Sequence, residues 1–120
     1  MPTRIVREYH FEAAHFLPRV VPGHKCARMH GHSYRVVVTV EGEVDPHHGW
    51  VMDFGDLDGH VVPLIDSLDH RLLNELPGLD NPTSELLAAW MWQRIKPHVP
   101  MLAELEVSET PSSRCVYRGT

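Results

Sequence analysis

Cys26-Ala27-Arg28-Met29-His30-Gly31-His32 gathers most of the reactive side-chain chemistry of this chain into seven residues. Alternate side chains of a strand share one face, so His30 and His32 can reach the same metal ion. His15 ends a separate alternating run and can bring a third imidazole to it. Three imidazoles leave a fourth coordination position open to water or substrate, which suits a catalytic zinc rather than a purely structural one. Iron and other divalent metals accept the same donors. An ion held this way polarises a carbonyl or acidifies a coordinated hydroxyl. Ten histidines is a high count for the length, and most of them are expected to be ordinary polar residues.

Other residues carry weaker signals. Cys26 has three readings: a buried inert thiol, a metal ligand, or a thiolate base, the last favoured for any cysteine near a cation or histidine. Cys115 shares a strand face with Tyr117 and reads as packing. Asp69-His70 is either an acid–base relay or a helix cap beside a surface histidine; in an extended segment the two side chains point apart and need no direct hydrogen bond. Glu109 falls at the parity of an apolar face, where a carboxylate needs partners. Those are either an arginine or a ligand with a flat, amidine-like N–H edge. Arg19, Lys25 and Arg28 make the cysteine's surroundings basic, as solvated loop charge or as contacts for a small anion.

The elements that must position these groups follow from periodicity. Ile5 to His15 alternates as a half-buried strand with His15 on its apolar face. A loop marked by Pro18, Pro22 and Gly23 carries Cys26. The second strand runs from about His30 to Glu41, with His30, His32, Tyr34, Val36, Val38 and Val40 in register. Gly42 to Gly49 reads as a turn. Asp53 is expected to cap a helix whose stripe is Phe54, Leu57, Val61, Leu64 and Leu68, with Pro63 kinking or splitting it. A helical turn over Leu72–Leu76 precedes Pro77-Gly78. Thr83 is expected to cap a helix reaching Lys96, whose stripe of Leu86, Leu87, Trp90, Met91 and Ile95 reads as core. Strands over Leu102–Thr110, with Ala103, Leu105 and Val107 on one face, and Ser113–Arg118 complete the order ββααββ. This is an α+β fold with helices on one face of an antiparallel sheet. The other face and the free edges imply cover by further copies of the chain.

The 120 residues suffice for one domain, 1–120. A formal charge of −5 argues against general nucleic-acid binding, which needs clustered cations. No membrane-length apolar run or signal peptide is evident, so the expected compartment is the cytoplasm. The two cysteines are accordingly expected as free thiols rather than one disulfide.

Taken in order, Phe11-Glu12-Ala13-Ala14-His15, Cys26-X-X-X-His30-Gly31-His32, Asp53-Phe54, Leu68-Asp69-His70, Asn81-Pro82-Thr83-Ser84-Glu85 and Glu109 resemble the 6-pyruvoyl-tetrahydropterin synthase family. The likeness spans essentially the whole chain. Gly23-His24-Lys25-Cys26 and the ending Cys115-Val116-Tyr117-Arg118-Gly119 resemble its compact bacterial, carboxy-forming branch. The resemblance implies a tunnelling fold, whose subunit sheets join into a barrel in a hexamer of two stacked trimers. It implies zinc on His15, His30 and His32, and proton transfer by Cys26, Asp69 and His70, the last two reaching an adjacent subunit's site. It also implies a pterin ring anchored by Glu109 with Thr83 and Ser84. The implied reaction converts 7,8-dihydroneopterin triphosphate to 6-carboxy-5,6,7,8-tetrahydropterin, acetaldehyde and triphosphate, on the route to 7-deazaguanine and queuosine. The competing readings are triphosphate elimination that keeps the three-carbon side chain, and a non-catalytic zinc-dependent assembly or binding protein. No Gly-rich dinucleotide fingerprint suggests a nicotinamide or flavin.

Overall fold

Alternation and stripe translate directly into a layered structure. The computed structural model describes residues 1–119. Strands β1 (Pro2–His15) and β2 (His30–Glu43) form a long antiparallel ladder. Helix α1 (Phe54–Leu68), a two-residue strand β3 (Arg71–Leu72) and helix α2 (Ser84–Ile95) follow, then β4 (Leu102–Thr110) and β5 (Ser113–Tyr117). The sheet order is β3-β1-β2-β4-β5.

The helices cover one sheet face, as the periodicity requires. Tyr9, Phe11, Ala13 and His15 of β1 are buried, as are Tyr34, Val36, Val38 and Val40 of β2. Leu57, Val61, Ile65 and Leu68 of α1 and Leu87, Met91 and Ile95 of α2 pack onto them. Burying such side chains contributes roughly 1.5–3 kcal/mol each before entropy is subtracted. The opposite face carries Glu8, Glu12, Arg35 and Glu106, linked in part by Arg35 ion pairs to Glu8 and Glu106.

Phe54 and Leu86, expected on the apolar stripes of the helices, are exposed, and five further expectations need correction. α1 is continuous through Pro63: Pro63 and Gly59, whose carbonyl loses its partner, are both exposed, so no buried acceptor is stranded. Asp53 occupies the N-cap position but makes no side-chain cap bond. β3 pairs with β1 in parallel, so the sheet is not wholly antiparallel. The β2–β4 register slips at Thr39/Val40, a bulge that turns Leu102 rather than Ala103 into the core beside Leu105 and Val107. The first two strands also extend beyond the expected ends, from Pro2 and to Glu43.

Candidate active site

Strand register brings the three histidines together. His15 lies directly across from His30 and Ala13 across from His32, so one antiparallel ladder sets all three rings on the helix-covered face. Their donor nitrogens lie within 4.8 Å of one another. His15 is 1% exposed; His30 and His32 are half-buried.

The far nitrogens fix the tautomers. His15 Nδ1 lies 2.8 Å from the Pro82 carbonyl and His30 Nδ1 lies 2.7 Å from the Arg28 carbonyl. A carbonyl only accepts, so each Nδ1 carries the proton and donates it. Both Nε2 atoms then present lone pairs, and these face each other at 3.0 Å. His32 Nε2 is buried without a hydrogen bond: a Glu109 oxygen lies 3.1 Å away but is not aligned for one. Burial pushes the His32 imidazolium below the usual histidine value, with the neighbouring His15 and His30 acting in the same direction and Glu109 opposing.

Converging lone pairs in a buried spot repel unless a cation or proton sits among them. The donor set therefore fits a divalent metal. A Glu109 oxygen stands 3.4 Å from His15 Nε2 and 3.1 Å from His32 Nε2, so a carboxylate borders the cluster.

A cleft of about 600 Å³ opens on the cluster, lined by the three histidines, Cys26, Lys25, Arg28 and Glu109 among others. Cys26 sits in a single helical turn, Lys25–Ala27, where the His24 imidazole accepts from the Cys26 N–H. The loop is pinned back by Leu17 N–H donating to the Cys26 carbonyl at 2.8 Å. A second cleft of about 530 Å³ lies on the other side of His32 and Glu109, so that this pair forms the wall between the two.

The remaining expected residues stand apart. Thr83 Oγ1 accepts from the Leu86 N–H and caps α2, as its position suggests. Ser84 donates to the Glu85 carboxylate. Neither side chain lines these clefts, although the adjacent Pro82 carbonyl orients His15. Asp69 and His70 lie on the sheet edge beside β1. Contrary to expectation they do contact each other: His70 takes a left-handed backbone, φ 59°, that folds its Nδ1 to 3.0 Å from the Asp69 carboxylate. The Glu12 N–H and the His70 ring hold the Asp69 carboxyl below its usual range. Cys115 is half-buried against the core, as expected, and both cysteines are free.

Asn74 was not anticipated. Its side-chain amide both accepts from the Phe16 N–H and donates to the Phe16 carbonyl, clasping the loop that leaves His15. An amide among the leucines of Leu72-Leu73-Asn74-Glu75-Leu76 was the available signal, and turn periodicity hid it.

Known proteins share this sequence and fold. A family model described as 6-pyruvoyl tetrahydropterin synthase matches residues 4–120. The chain is 43% identical over 119 residues to a 6-carboxy-5,6,7,8-tetrahydropterin synthase of Synechocystis, covering 94% of this chain and 91% of that one. It is 39% identical over 100 residues to a dihydroneopterin monophosphate aldolase of Pyrococcus furiosus, covering 83% and 81%. The solved 6-pyruvoyl tetrahydropterin synthase of Caenorhabditis elegans superposes with a TM-score of 0.92 at 29% identity, covering 100% of this chain and 97% of that one.

Proposed function

The chain belongs to the 6-pyruvoyl tetrahydropterin synthase family, and from that premise we propose that it is a zinc-dependent carbon–carbon lyase. Residues 1–120 act as one unit. The substrate is 7,8-dihydroneopterin triphosphate, and the products are 6-carboxy-5,6,7,8-tetrahydropterin, acetaldehyde and triphosphate, feeding 7-deazaguanine and queuosine synthesis in the cytoplasm. Among the described residues no helix is long and apolar enough to cross a membrane. The observation that carries the reading is one cleft holding three convergent imidazoles, a thiol and a carboxylate, in a chain this similar to a carboxy-forming relative.

His15, His30 and His32 would hold the metal, and the Pro82 and Arg28 carbonyls keep two of them in the tautomer that leaves Nε2 free to ligate. Zinc there supplies a Lewis acid for negative charge developing on the substrate's side-chain oxygens. Cys26 removes a side-chain proton from the substrate. Glu109 accepts two N–H bonds from the pterin's 2-amino group and N3; Thr83 and Ser84, which lie outside the cleft of their own chain, support the ring from a neighbouring subunit. Asp69 and His70 of a neighbouring subunit move protons at the far side of the substrate. Two electrons pass from side chain to ring, which ends as a tetrahydropterin, and water completes the carboxylate; no outside oxidant enters.

The unpaired sheet edges support assembly into a barrel-forming hexamer of two trimers. Elimination of triphosphate with the three-carbon side chain retained is the second reading, favoured by the likeness to the Caenorhabditis elegans structure. Acetaldehyde measured with alcohol dehydrogenase distinguishes them. One acetaldehyde per triphosphate supports the lyase, and triphosphate without acetaldehyde overturns it.

A further inference from the structure

We infer that Lys25 and Arg28 form the polyphosphate-binding mouth of the metal cleft. The inference rests on the proposed phosphorylated pterin substrate and adds which side chains recognise its phosphates. The chain carries a formal charge of −5, so its overall field repels a polyanion and any attraction must be local. Most of its cations are already engaged. Arg4, Arg7, Arg35, Arg114 and Arg118 pair with carboxylates. Arg94 and Lys96 donate to backbone carbonyls and lie over tryptophan rings. Lys25, Arg28, Arg19 and Arg71 have no acidic or carbonyl side-chain partner among the described residues and all four are exposed, but of these only Lys25 and Arg28 line the cleft that contains Cys26 and the histidines.

Their backbone is held while their side chains are free. The turn Lys25–Ala27 is capped by His24, and the Arg28 carbonyl accepts from His30 Nδ1–H. Both cations thus emerge at a fixed place beside the metal ligands, with charge unspent. A ring at Glu109 and a side chain at the histidines would share one cleft with these two cations, within which a tethered anion can meet them. Arg28 offers a planar fork to two phosphate oxygens and Lys25 a point charge.

Fluorescence titration of zinc-loaded protein with neopterin triphosphate and with neopterin, oxidised pterins used as probes, tests this. In the unmodified protein the triphosphate is expected to bind at least tenfold more tightly, equivalent to about 1.4 kcal/mol, with the advantage shrinking as salt rises. In K25Q/R28Q the two ligands should bind within about twofold of each other, neopterin itself being little changed; circular dichroism and zinc content verify that the variant is folded and loaded. A triphosphate advantage that survives in the variant, or is absent from the unmodified protein, overturns the assignment. The pterin reading stands or falls separately on neopterin: triphosphate binding without neopterin binding contradicts that reading while sustaining the mouth.

Discussion

At the residue scale, the site is a problem of paired lone pairs. The Pro82 and Arg28 carbonyls consume one nitrogen proton each and force two Nε2 lone pairs to within 3.0 Å. Replacing His30 with alanine is expected to lower zinc per chain to well under half of the unmodified value by elemental analysis; unchanged stoichiometry would remove His30 from the ligand set. Cys26→Ala should retain the metal and lose at least about a hundredfold in turnover, the usual worth of a positioned acid–base group. Full turnover in that variant would contradict its role as base. The histidines were legible in the sequence because parity alone decides the face of a strand. The two carbonyls were not, since no side-chain pattern announces which backbone oxygen will meet a ring. The Asp69–His70 contact was hidden for a related reason: it depends on a left-handed residue that alternation cannot foresee.

At the element scale, β1 is locked to α1 by a polar knot. The Tyr9 hydroxyl donates to Asp58 at 2.6 Å, and Arg7 donates to both Asp58 oxygens at 3.2 and 3.0 Å. The Tyr9 hydroxyl, then Arg7, hold the Asp58 carboxyl below its usual range, while burial and Asp58 push the Tyr9 phenol up. A depressed carboxyl stabilises the fold above its unfolded value of roughly 3.9 and loses that contribution as pH falls through its folded value. Between about pH 6 and pH 3 the unmodified protein should therefore lose more Tm than Asp58→Asn does. Parallel Tm curves would show that the knot carries no proton linkage. Helix and strand identities followed from periodicity. The Ala103 bulge and the two-residue β3 did not: the first is one extra residue in a regular alternation, and the second is too short to have a period.

At the scale of the whole molecule, the chain is elongated and leaves sheet edges open. Its radius of gyration, 15.6 Å, exceeds the about 14 Å expected of a compact domain this long, and its longest extent is 57 Å. β3 covers only Ala13 and Ala14 of β1, leaving most of that strand as an open edge, and β5 forms the other. Val6 and Val116 are exposed on strands at those edges, at 52% and 47%. In the proposed assembly, an adjacent chain's Asp69 and His70 meet Cys26 across such an edge. Two inactive variants, Cys26→Ala and His70→Ala, should then regain activity when co-assembled, because some sites combine an intact Cys26 with an intact His70. Mixed assemblies with no recovery would place both groups within one subunit. The measurement that bears most directly on the whole account is mass spectrometry of the pterin formed anaerobically from 7,8-dihydroneopterin triphosphate by zinc-loaded protein. The account predicts 6-carboxy-5,6,7,8-tetrahydropterin, formed with acetaldehyde and lost with Cys26→Ala; a pterin retaining all three side-chain carbons, or unconverted substrate, would contradict it.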